Sequence, residues 1–118
     1  MGHIVVIDDS NLSRKRVLAA LQGSFDCRAF GKPEEAFEDI IKDPPMCVVS
    51  DILMPNLTGD QLLVKIKEKL PELPVIFVSA NFNEKKMEQL KQDGAALIMR
   101  KPFDPEELAS TVKDIVGE

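Results

Sequence analysis

The chain has 118 residues, 44% of them apolar and 30% charged, and its 15 lysines and arginines against 20 aspartates and glutamates leave a net charge of -5. This length fits one globular unit with a real core, and the acidic balance argues against nucleic acid as a direct partner. No apolar run approaches the ~20 residues that a membrane-spanning helix needs, and a single histidine, His3, excludes metal sites built on several imidazoles.

Met1-Gly2-His3 leads straight into Ile4-Val5-Val6-Ile7 with no basic segment or small-residue cleavage site, so the start does not read as a signal peptide and a cytoplasmic protein is expected. Cys27 and Cys47 lack metal-ligand spacing and are expected to be reduced, buried thiols.

Apolar runs alternate with helical patterns along the whole chain, without repeat or linker. His3 to Ile7 reads as the first strand, followed by a helix from about Asn11 to Gln22 whose Val17, Leu18 and Leu21 share a face and which Gly23 stops. Within that helix Arg14-Lys15-Arg16 reads as a solvated basic face. Ser24 to Phe30 is a weaker strand suited to a sheet edge, and Pro33 opens a second helix through about Lys42. After Asp43-Pro44-Pro45, the run Met46 to Ser50 is a buried third strand that ends abruptly in Asp51 and a proline-bearing loop. Thr58-Gly59-Asp60-Gln61 is a capping box, and the helix it starts runs to about Lys69 with Leu62, Leu63, Ile66 and Leu70 on one side.

Val75 to Val78 is apolar at every position, as a strand covered on both faces would be, and leads into Ser79-Ala80. Asn81 with Glu84 is expected to cap a fourth helix to about Gln92, closed by Gly94; largely polar, with Met87 and Leu90 as anchors, it is expected to be the most loosely held element. Ala95 to Met99 is the fifth strand. Asp104-Pro105-Glu106-Glu107 then starts a last helix with a buried stripe of Leu108, Val112, Ile115 and Val116. Five strands alternating with five helices predict an α/β three-layer sandwich on a parallel sheet.

Ligands bind outside the carboxyl ends of the strands in an open parallel sheet. Strand one delivers Asp8 and Asp9 there, strand three Asp51, strand four Ser79 and strand five Lys101. Singly, each has a plain structural role: the aspartates as caps or turn formers, Ser79 as a helix-start residue, Lys101 as a surface charge. Turn chemistry does not require carboxylates and a lysine to meet from four strands, and that joint placement argues for a site. Asp51 at such a position can serve as metal ligand, acid, base or nucleophile. Converging carboxylates repel unless a cation shares the pocket, and an oxygen-only donor set suits Mg2+, with Mn2+ as an alternative. A lysine and a hydroxyl opposite the metal suit an anionic group, and a phosphoryl fits.

At these residues the sequence resembles the receiver domain of two-component response regulators over essentially its full length, residues 1–118 as a single domain. The resemblance is carried by Asp8-Asp9, Asp51 with Met54-Pro55 and Gly59, Ser79-Ala80, and Lys101-Pro102-Phe103. It implies a flavodoxin-like, doubly wound sheet of order 2-1-3-4-5. It further implies that Asp51 accepts a phosphoryl group from a sensor histidine kinase or a histidine phosphotransfer protein. Asp9, Asp51 and the Leu53 backbone carbonyl would bind the metal, Asp8 would do so through water, Lys101 and Ser79 would contact the phosphoryl group, and the bond before Pro102 would be cis. Output would pass to a protein target at the face of the fourth helix, fifth strand and fifth helix, with no direct contact to nucleic acid or membrane. Such a protein is not an enzyme beyond catalysing its own phosphorylation and dephosphorylation.

Three positions depart from the common family pattern. Ile98 stands where many members carry a switching aromatic ring, and Leu53 and Asn81 occupy the two positions that tune phosphoryl lifetime. A leucine side chain cannot orient an attacking water. A relay intermediate or a receiver excised from a larger regulator or hybrid kinase is an alternative role. Among other classes, a haloacid-dehalogenase-type aspartyl phosphatase wants a second carboxylate where Leu53 stands, a flavodoxin-like electron carrier wants aromatic stacking groups that a chain without Trp or Tyr lacks, and a pseudo-receiver would not keep the acidic pair, acceptor, hydroxyl and lysine together.

Overall fold

The computed structural model describes residues 2–117. Five strands, β1 (His3–Ile7), β2 (Asp26–Phe30), β3 (Cys47–Ser50), β4 (Val75–Ser79) and β5 (Leu97–Arg100), form one parallel sheet in the order β2-β1-β3-β4-β5. They alternate with helices α1 (Asn11–Leu21), α2 (Pro33–Lys42), α3 (Gly59–Lys69), α4 (Glu84–Gln92) and α5 (Pro105–Val116). This is the flavodoxin-like, doubly wound arrangement, order 2-1-3-4-5, that the resemblance implies.

Alternation along the central strands builds two cores rather than one. Val5, Ile7, Val48, Val75 and Phe77 point to one face and pack with Ala36 and Ile40 of α2, Leu62, Leu63 and Ile66 of α3, and Leu90 of α4. Ile4, Val6, Val49, Ile76 and Val78 point to the other and pack with Val17 and Leu21 of α1 and Leu108 and Val112 of α5. Both faces being covered, β1, β3 and β4 read as unbroken apolar runs. Burying each such side chain contributes roughly 1.5–3 kcal/mol relative to leaving it exposed.

The helix starts follow their local chemistry. The Thr58–Gln61 capping box is present in both directions, Asp104 caps α5 through the Glu106 amide ahead of Pro105, and α2 opens on Pro33 without a side-chain cap. Four details differ from the expectations. Asn83, not Asn81, caps α4, accepting from the Lys86 amide. Strand β2 begins at Asp26 because the amides of Ser24 and Phe25 both bond back to the Leu21 carbonyl, extending the helix exit. Gly23 plays no left-handed role there, whereas Gly94, with φ of 107°, closes α4 as read. Strand β5 starts at Leu97 because Ala95 is still bonded to the Leu90 carbonyl.

Helix α4 buries only Leu90 outright. Two side-chain contacts supplement that stake: Lys86 Nζ meets Asp60 Oδ2 of α3 at 2.8 Å, and the Arg100 guanidinium lies 4.1 Å from the Phe82 ring centroid in the loop before α4. Both cysteines are free; Cys47 is buried as expected, but Cys27 on the edge strand is only half-buried.

Candidate functional site

The sheet register explains why the acidic residues meet. Ile7 pairs with Ser50, so Asp8 and Asp51 are the next residues out on neighbouring strands, held by a bond of 3.0 Å from the Asp51 amide to the Ile7 carbonyl. Neighbouring strands lie about 4.8 Å apart, and the carboxylates of Asp8, Asp9 and Asp51 present oxygens within 4.8 Å of one another. Ser79 pairs with Arg100, which puts Lys101 one residue past the end of β5, its amide bonded to the Ser79 carbonyl at 3.0 Å.

Lys101 joins the two inner carboxylates. Its Nζ donates to Asp8 Oδ2 at 2.9 Å and to Asp51 Oδ2 at 3.1 Å, in a pocket where the Asp8 side chain is 3% exposed and that of Asp51 14%. Burial alone would lower the Lys101 pKa, but the hydrogen bonds and negative charges of Asp8 and Asp51 outweigh it and hold the ammonium above its ordinary value. The peptide bond between Lys101 and Pro102 is cis.

Asp51 is fixed on all sides. The Ile52 amide donates to its Oδ1 at 2.6 Å, the Ser50 hydroxyl donates to its carbonyl at 2.8 Å, and the loop beyond returns through a bond of 2.7 Å from the Gly59 amide to the Ile52 carbonyl. Asp8 is held at each of its polar groups: its amide donates to the Phe30 carbonyl, its Oδ1 accepts from the Ser10 amide, its Oδ2 from Lys101, and its carbonyl from Arg14. Asp9 is exposed at the rim.

Three carboxylates and one ammonium leave a formal charge of -2 in the pocket, and every acidic donor is an oxygen. The cluster can hold a hard divalent cation, which would cancel that charge and relieve the repulsion. The remaining expected residues occupy different settings. Ser79 is buried at the end of β4, Leu53 is 53% exposed in the β3–α3 loop, Asn81 is exposed before α4, and Ile98 is partly buried against the core. A groove of about 680 Å³, lined by Leu12, Arg16, Ala20, Pro102 and Phe103, runs up to Lys101 between α1 and the start of α5.

One contributor escaped the sequence reading. Arg14 is not part of a solvated face: its guanidinium turns inward to the Asp8 carbonyl at 2.7 Å and also bonds Asn11. Its position one turn into the helix that follows the acidic pair was the available signal.

Fold and pocket together define a doubly wound α/β protein built to present a lysine-bridged acidic cluster at the carboxyl edge of its sheet. Residues 4–113 match the family described as the response regulator receiver domain. The chain belongs to that family, whose members are the receiver domains of two-component response regulators. It is 32% identical over 118 residues to the response regulator Rre1 of Synechocystis sp., covering 97% of this chain and 51% of that protein. It is 34% identical to the DNA-binding transcriptional regulator NtrC of Escherichia coli, covering 98% of this chain and 25% of NtrC. The chain thus spans about half the length of one relative and a quarter of the other. Among solved structures, the receiver domain of NtrX from Brucella abortus superposes with a TM-score of 0.90 at 28% identity, covering 97% of this chain and 98% of that one.

Proposed function

We propose that residues 1–118 form a single receiver domain in which Asp51 is the phosphoryl acceptor, and that the bridging of Asp8 and Asp51 by Lys101 is the observation that carries this reading. A carboxylate oxygen of Asp51 forms the new O–P bond as the P–N bond of a phosphohistidine breaks. The electron pair leaves on the imidazole nitrogen; with acetyl phosphate, acetate leaves instead. Asp9, Asp51 and the Leu53 carbonyl would hold Mg2+ directly and Asp8 through a water, the set that the family resemblance implies and that the oxygen cluster supports. The bound ion would neutralise charge on the transferring phosphoryl group.

Lys101 then exchanges its hold on the Asp51 carboxylate for the phosphoryl oxygens, and the Ser79 hydroxyl closes on the same group. Because Ser79 and Lys101 are backbone partners, and α4 has little buried area, their movement biases the α4–β5–α5 face toward a second arrangement that a protein target reads. The donor would be a histidine kinase or phosphotransfer protein seated on the groove beside Lys101. The chain would act as a cytoplasmic signalling module that catalyses only its own phosphorylation and dephosphorylation; among the described residues no helix is long and apolar enough to cross a membrane. Labelling by acetyl phosphate is expected to require Mg2+ and to disappear in Asp51→Asn. Undiminished stoichiometry in that variant would remove Asp51 as the acceptor.

A further inference from the structure

Asp8 is the hub of the pocket, yet nothing in the ladder of the sheet holds its carbonyl. The last bonds from β1 to its neighbours use the Asp8 amide and the Ile7 carbonyl. Beyond them the residue is held at its carboxylate, by the Ser10 amide and Lys101, and on the main chain at its carbonyl by a side chain. The Arg14 guanidinium takes up that carbonyl at 2.7 Å, anchoring it to the first turn of α1, while a second nitrogen bonds the Asn11 side chain. A charged donor on a neutral carbonyl is a strong hydrogen bond, and the fork of an arginine lets one group serve two acceptors with fixed geometry.

The chain also makes room for this group. A Cβ at Gly31, just after β2, would lie 3.1 Å from Arg14 Nη1 and 3.7 Å from Cζ, and would meet nothing else within 4 Å. Gly31 does not occupy the left-handed region, so backbone conformation does not demand a glycine there. The space is accounted for by the guanidinium alone.

We propose that Arg14 is a positioning residue of the phosphoryl site: by gripping the Asp8 carbonyl it sets where the Asp8 carboxylate meets Lys101 and the metal-binding edge formed with Asp9. The proposal rests on the metal-dependent reading given above. It separates from a plain charge effect by sign. Deleting a cation beside an acidic pocket strengthens binding of another cation, whereas loosening a residue that orients a metal site weakens metal binding by ~10–100-fold.

The test is a Mn2+ titration followed by the electron paramagnetic resonance of the free ion, with urea unfolding of the metal-free proteins alongside. Arg14→Met is expected to weaken Mn2+ binding by ~10-fold or more, and Arg14→Lys, which keeps the charge and one donor, to fall between it and the wild type. Gly31→Ala, which presses on the guanidinium, should weaken binding to a smaller degree and add nothing in the Arg14→Met background. Unchanged or tighter Mn2+ binding in Arg14→Met overturns the proposal. Should that variant fail to fold, unchanged affinity in both Arg14→Lys and Gly31→Ala overturns it instead. A wild-type protein that binds no Mn2+ and takes no label would defeat the underlying reading itself, an outcome distinct from intact wild-type binding that is indifferent to Arg14.

Discussion

Gly59 offers the sharpest check on how the acceptor loop is held. A Cβ added there would sit 2.8 Å from the Asp51 carbonyl oxygen, 2.8 Å from the Ile52 Cα and 2.8 Å from Cε1 of Phe77. Ordinary contacts are several tenths of an ångström longer, two of the three neighbours are backbone, and Phe77 is fully buried, so no flexible tip can yield. Overpacking of this kind costs ~1–3 kcal/mol. Alanine at the first position of a helix returns up to about 1 kcal/mol through the less flexible unfolded chain. The net expectation for Gly59→Ala is a loss of about 1–2 kcal/mol, which for a chain of this length lowers the melting temperature by roughly 5–10 °C. Urea unfolding should show a lower midpoint at unchanged slope. Since the displaced atoms belong to Asp51 and Ile52, the rate of labelling by acetyl phosphate should also fall at temperatures where both proteins remain folded. Combining Gly59→Ala with Phe77→Leu should cost less than the sum of the two, because one of the three contacts is relieved. An unchanged midpoint together with an unchanged labelling rate would refute the reasoning.

The raised pKa of Lys101 has a defined pH signature. A lysine whose folded pKa exceeds its unfolded value near 10.5 contributes stability that is fully present below that value and is lost as pH rises through the folded pKa. The stability difference between wild type and Lys101→Met should therefore be level around neutrality and shrink above pH 10.5; a difference that widened there would contradict it. Leu53→Asn should speed decay of the labelled protein, since an amide can orient water beside Asp51 where an exposed leucine cannot, and an identical decay rate would count against that role. Burial pushes the Cys47 thiol up to about 12, while Cys27 is raised less severely by partial burial and by Asp26. A thiol reagent should thus modify Cys27 first in the native protein and reach Cys47 only on unfolding, and early modification of Cys47 would contradict its burial.

The architecture was legible because the central strands are apolar on both faces and α2, α3 and α5 carry clear amphipathic stripes, signals that depend on period alone. The carboxyl-edge residues were legible for a related reason: in a parallel sheet, whatever follows each apolar run lands on the same edge. What escaped depends on choices between near-equivalent neighbours or on reach. Asn81 and Asn83 are both plausible caps, and only the path of the loop past Phe82 decides for Asn83. Ser24 and Phe25 look like strand until the Leu21 carbonyl claims both amides. Arg14 sits among basic residues that do face solvent, and the inward turn of one long side chain leaves no periodic trace.

The pairing of Ile7 with Ser50 and of Ser79 with Arg100 makes the sheet a ruler for the pocket. Side chains alternate between faces, so a slip of one residue in β3 would send Val48 and Val49 to each other's cores and carry Asp51 out of line with Asp8 and Lys101 in the same motion. Length within the strands is consequently a quantised property: the segment that sets the acceptor's position can be substituted, but not lengthened or shortened by a single residue.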